Sequence, residues 1–129
     1  MTSQGSPYAR FQRALRTDSL HLIRAAAAEL PRIGLAEAAA MLVAIERIEP
    51  ETYPRAAIRW VGKLCADNRV AVGLDDVARI AAALDELPRR PQRATAVLAE
   101  VCTRAGLLDA ARVFGAWRAA RPGALRAPL

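Results

Sequence analysis

The chain carries 129 residues, 53% apolar, 25% charged and 5% aromatic, enough to bury one core and too few for two independent domains of ordinary size. Its formal net charge of +6 is almost wholly arginine, since Lys63 is the single lysine, and GC-rich coding alone raises arginine and alanine at the expense of lysine. Two cysteines are too few for a disulfide scaffold, the first residues lack the basic start and apolar core of a secretory signal, and charges interrupt every apolar run before it could span a bilayer, so a cytoplasmic protein without membrane association is expected.

Alanine and leucine must do most of the packing, and the β-branched and aromatic residues that favour strands are sparse, so the whole chain reads as helix. Residues 1–6 are small and polar and read as a flexible N-terminus; one domain follows over 7–121, then a flexible tail rich in Gly, Pro and Arg over 122–129. The first helix runs from about Pro7, well placed in a first turn, to Arg16, with Tyr8, Phe11 and Leu15 on one face and Arg10, Arg13 and Arg16 on another. Thr17, Asp18 and Ser19 recap the chain for a second helix, Leu20 to Leu30, before a turn at Pro31 and Gly34. The third covers about Leu35 to Glu49 with an inward stripe of Met41, Leu42, Ile45 and Ile48, and Pro50 stops it. The fourth starts near Pro54 and continues through Ile58, Trp60, Val61 and Leu64 to about Asn68. Leu74 to Leu87 forms the fifth, ended by Pro88; the sixth follows the Arg89-Arg90-Pro91 turn to Ala105, and the seventh follows Gly106 with Leu107, Ala110, Ala111, Phe114 and Trp117 turned inward.

Three of these helices open alike, at Gly34-Leu35, Gly73-Leu74 and Gly106-Leu107, each with an acid in the first turn where the helix dipole favours it; the glycine suits a left-handed end to the preceding helix. Residues 34–65 also align with 73–102, placing Gly34 on Gly73, Pro50 on Pro88, Pro54 on Pro91 and Cys65 on Cys102, while Met41, Ile45, Ile48 and Val61 meet Ile80, Leu84, Leu87 and Leu98. A duplicated helical hairpin follows, with both cysteines as buried free thiols at equivalent core positions. The predicted fold is all-α, about seven helices in antiparallel hairpins, as a short right-handed solenoid or a compact bundle.

From Leu98 to Pro122 the chain resembles a tetratricopeptide-like helical hairpin, through Leu98, Ala99, Gly106, Ala111, Phe114 and Pro122, although Cys102 stands where that family has an aromatic. A HEAT-like hairpin array fits the same residues. The resemblance implies hairpin architecture and the binding of a partner protein or peptide, with no substrate.

Catalytic chemistry finds little to work with. His21 is the only histidine and sits beside Asp18, its expected partner; no Cys-x-x-Cys, helical Glu-x-x-His or phosphate-binding glycine loop occurs, so no enzyme activity, metal or cofactor is expected. Asp75-Asp76 and Asp85-Glu86 are adjacent on helices and diverge by about 100°, which keeps either pair from acting as convergent carboxylates.

Charge is more informative. Residues 1–33 hold five arginines against two acids and 107–129 four against one, while the ten basic residues from Arg47 to Arg104 are matched by ten acids. Arg55, Arg59 and Lys63 recur every fourth residue beside Trp60, and a groove there would suit an acidic or amphipathic peptide, with the indole as an anchor if exposed. Glu51 and Asp67, each four residues away from an end of that stripe, could instead neutralise it. The principal reading is a non-enzymatic module binding a partner protein or peptide through Arg55, Arg59, Trp60 and Lys63. The alternative is nucleic-acid binding, with Arg10, Arg13 and Arg16 following phosphates and Arg89, Arg90 and Arg93 extending the surface. Self-association that caps the terminal helices is a further expectation, though the basic ends oppose face-to-face pairing.

Overall fold

Serines, glycines and prolines set where each helix begins. In a computed structural model, which describes residues 5–67 and 69–120 (side chains to 117), they delimit α1 (Pro7–Ala14), α2 (Leu20–Ala28), α3 (Leu35–Ile48), α4 (Tyr53–Ala66), α5 (Leu74–Glu86), α6 (Pro91–Arg104) and α7 (Leu108–Ala120), with no strand among the described residues. Ser6 and Ser19 cap α1 and α2, their hydroxyls accepting from the N–H groups of Ala9 at 2.9 Å and Leu22 at 3.2 Å. Of the expected flexible termini only Gly5 and Ser6 lie within the described residues.

The three glycine starts are not alike. Gly34 and Gly73 are extended N-caps, and the Gly34 N–H donates to the Glu37 carboxylate at 2.9 Å, one half of a capping box. Only Gly106 is left-handed, with φ 85°: it closes α6 in a Schellman turn, Leu107 N–H donating to the Cys102 carbonyl at 2.7 Å and Gly106 N–H to that of Thr103 at 3.1 Å. α7 therefore starts a residue later than the repeated motif suggests.

Each helix from α3 to α7 packs against the next, and α7 packs back against α3. Five consecutive helices thus close into a ring. Alternating direction around an odd-numbered ring forces one parallel pair, and that pair is α3 and α7, whose first turns sit together around Gly34, Leu35, Gly106 and Leu108. A solenoid, in which each unit touches only its neighbours, has no such closing contact; the arrangement is the compact bundle.

The ring encloses one core, formed by Leu42, Trp60, Leu64, Ile80, Leu84, Leu98, Val101, Phe114 and their neighbours. A second cluster joins α1 and α2 to the outside of α3 through Phe11, Leu20, Ile23, Ala27 and Ala44, with Met41, Ile45 and Ile48 packed against it. α3 is consequently apolar on two sides, which is why its expected inward stripe divides between the two clusters. Full burial of Phe11 and Ile23 contributes about 1.5–3 kcal/mol each to holding the α1–α2 hairpin in place. Tyr8, expected beside Phe11, is 54% exposed.

Candidate partner-binding face

α4 turns three different sides to its surroundings. Tyr53, Ala57, Trp60 and Leu64, at spacings of four, three and four, form its buried line. Trp60 is 3% exposed, its indole N–H donates to the Leu35 carbonyl at 3.0 Å, and its ring meets Phe114 edge to face at 5.8 Å. The indole is a core element, not the free anchor that an exposed position would allow. One step round the helix from Leu64, Cys65 is exposed, in contrast to its expected burial, while Cys102 on α6 is buried and its thiol is pushed up to about 11 by that burial.

On the α3 side of α4 stand Arg55, Arg59 and Lys63. Lys63, Arg59 and the edge of Trp60 border a shallow groove of about 160 Å³ whose apolar walls include Met41, Ile45 and Ala56. It adjoins a hollow of about 480 Å³ lined by Arg24, Ile45, Glu51, Arg55 and Arg59. Arg24, on α2, was not singled out by the sequence; only packing of α2 beside α3 brings it to the stripe.

No carboxylate among the described residues comes within 4.0 Å of Arg55, Arg59 or Lys63. The two neutralising pairs expected from i,i+4 spacing do not form, for a local reason at each end. Glu51 lies in the 3₁₀ turn Pro50–Thr52 ahead of α4, out of helical register with Arg55. Asp67 caps α4 with an extended backbone and binds Arg69, whose N–H and side chain both donate to it and hold its carboxyl below the usual range.

The other arginines named by the sequence are differently placed. Arg10 binds Glu29 at 2.7 Å, Arg13 is exposed on α1, and Arg16 is exposed in the turn that follows it. Arg89 pairs with Asp85 at 3.4 Å, while Arg90 and Arg93 share Glu86 at 3.8 and 3.7 Å, so the acids on α5 offset this cluster. α1 packs on α2, away from the α5–α6 turn, and the structure does not join the two groups into one surface.

His21 is exposed, and Asp18, its expected partner, binds Arg47. Asp76 takes Arg104 at 2.9 Å. Among the described residues no three His, Cys, Asp or Glu side chains gather where a metal could sit, and no helix is long and apolar enough to cross a membrane.

The third side of α4 faces α5 across an apolar groove of about 380 Å³, lined by Pro54, Ile58, Val61, Ala81, Leu84 and Pro88 and closed at one end by Asp85 and Arg89. Ile58 is 72% exposed there. No protein-family model matches the chain, and no curated protein or solved structure is recognisably similar to it.

Proposed function

We propose that this protein is a non-enzymatic interaction module that binds an acidic, amphipathic segment of a partner protein along the α3–α4 face. The observation that carries the reading is the Arg55, Arg59 and Lys63 stripe: three cations one helical turn apart beside apolar groove walls, with no carboxylate within 4.0 Å among the described residues and only the longer-range field of Asp67 on Lys63. A helix supports such a pairing better than an extended peptide does. Both groove walls are helices whose main-chain groups are internally bonded, so a segment that satisfies its own backbone fits them, with apolar residues in the groove and carboxylates toward the stripe. Nucleic-acid binding draws less support, because Arg10, Arg89, Arg90 and Arg93 are ion-paired and Trp60 offers no exposed stacking face.

Lys63 makes the test specific, since it is the only lysine. Zero-length carbodiimide coupling in native lysate should join the Lys63 amine to an aspartate or glutamate of a retained protein, and mass spectrometry of the linked peptide identifies the partner segment. Retention should survive nuclease and be lost in the Arg59→Glu, Lys63→Glu double variant. Retention abolished by nuclease would move the stripe to a nucleic-acid role, and retention unchanged in a folded double variant would remove it from function.

A further inference from the structure

We propose that the α4–α5 groove is the surface through which two copies of this chain pair. This surface lies on the opposite flank of α4 from the cationic stripe and does not depend on the partner reading above.

Its shape suits a two-fold contact, in which the same patch must serve both copies. Ile58 projects from α4 at the groove's edge with 72% of its surface exposed, while the small side chains of Ala57 and Ala81 leave the hollow beside it. A projection and a hollow on one patch let each copy seat its Ile58 in the other. The charges point the same way. Among the described residues, Asp85 and Arg89 are the only charged residues lining the groove, one helical turn apart and paired with each other at 3.4 Å, so two copies would exchange these partners rather than fill empty ones. Across a two-fold axis, Asp85 of one copy can face Arg89 of the other. Pairing through the α3–α4 face would set stripe against stripe in a chain of net charge +6; pairing here keeps the two stripes apart. A small polar ligand finds little to orient it, since the one hydroxyl that lines the groove among the described residues, that of Tyr53, already donates to the Leu84 carbonyl at 2.7 Å.

Sedimentation equilibrium on the full chain over a wide range of concentration tests the proposal. The wild type should approach two chain masses, and the association should persist in high salt because its centre is apolar. Ile58→Arg should return one chain mass with unchanged circular dichroism and the melting temperature of the dilute, monomeric wild type, since the side chain is largely outside the core. Ala81→Arg, on the exposed side of α5, should do the same by a second route. Arg59→Glu with Lys63→Glu should leave the dimer intact. A wild type that stays monomeric at every concentration overturns the proposal, including one whose groove takes up another apolar ligand. So does a dimer that survives both arginine variants, or one dissolved by the stripe variant alone, which would place the contact on α3–α4. The first two outcomes leave the Lys63 cross-link as it stands, and in the third the cross-linked peptide would come from a second copy of this chain.

Discussion

Tyr53 shows how much one side chain at a helix start can join. Its ring is buried at the beginning of α4, and its hydroxyl ties that turn to the carbonyl of Leu84 on α5. Burial first, and then the carboxylates of Glu46 and Asp85, push its ionisation well above the ordinary phenol value of 10.0. A folded-state value above the unfolded one stabilises the fold fully below pH 10.0, and the contribution is lost as pH climbs beyond it. Tyr53→Phe should therefore lower stability at neutral pH by about 1 kcal/mol, through the lost hydrogen bond, and lose less on going to alkaline pH than the wild type does. Urea midpoints of both proteins along a pH series measure this. Equal alkaline slopes would refute it; because the raised Cys102 thiol acts with the same sign in both proteins, the difference between slopes is the quantity to read. The two thiols give a second expectation. Ellman's reagent at neutral pH should find one reactive thiol per native chain, Cys65, and two after denaturation, since Cys102 is both buried and held protonated.

At the scale of elements, ends were more legible than sides. Pro7, Ser19, Pro50, Gly73, Pro91 and Gly106 act through local backbone chemistry, so the predicted helices lie within two residues of the observed ends where both are described. Which flank of a helix is covered depends on neighbours that local sequence does not name. Ile58 and Leu64 look alike in a helical pattern, yet one is 72% exposed and the other 2%. The hairpin alignment has the same difficulty: Cys65 and Cys102 correspond in sequence and differ in burial, because Cys102 falls on the buried side of α6 with Ala94, Leu98 and Val101 whereas Cys65 falls beside, and not on, the buried line of α4. The candidate stripe was legible by spacing, while its lack of ion pairs among the described residues was not, since that depends on where α4 starts and ends. The three glycine starts can be separated by experiment. Gly106→Ala forces a side chain into a left-handed conformation and should cost about 1–2 kcal/mol. Gly73→Ala, at an extended cap where an added Cβ meets nothing within 4 Å, should cost less, about 0.5 kcal/mol, the difference between glycine and alanine as N-caps. Comparable losses of melting temperature in both variants would contradict the assignment of Gly106 alone as the obligatory glycine.

Ring closure governs the molecule as a whole. An open hairpin array tolerates loss of a terminal unit in proportion to the neighbour contacts removed, because its stability is approximately a sum of local terms. In this chain the two ends are unequal. α1 and α2 rest on the outside of α3, in a cluster to which α3 contributes Ala44 as its only buried member. α7 instead closes the ring between α6 and α3, and carries Phe114, 0% exposed, against Trp60. Removing α7 uncovers α3 and α6 together and leaves the Trp60 edge without its partner. Truncation before Leu107 should consequently abolish cooperative unfolding, even where helical circular dichroism survives, as expected when secondary structure outlasts specific packing. Deleting residues 1–31 should leave a cooperative transition, less stable by the burial of Phe11, Ile23 and their neighbours, and tryptophan emission, from buried Trp60 and partly buried Trp117, should match that of the full chain. Thermal melts of the two truncated chains, followed by ellipticity and by tryptophan emission, distinguish the architectures: coincident, cooperative transitions in the chain lacking α7 would mean that the ring does not close as described, and that the protein behaves as an additive array.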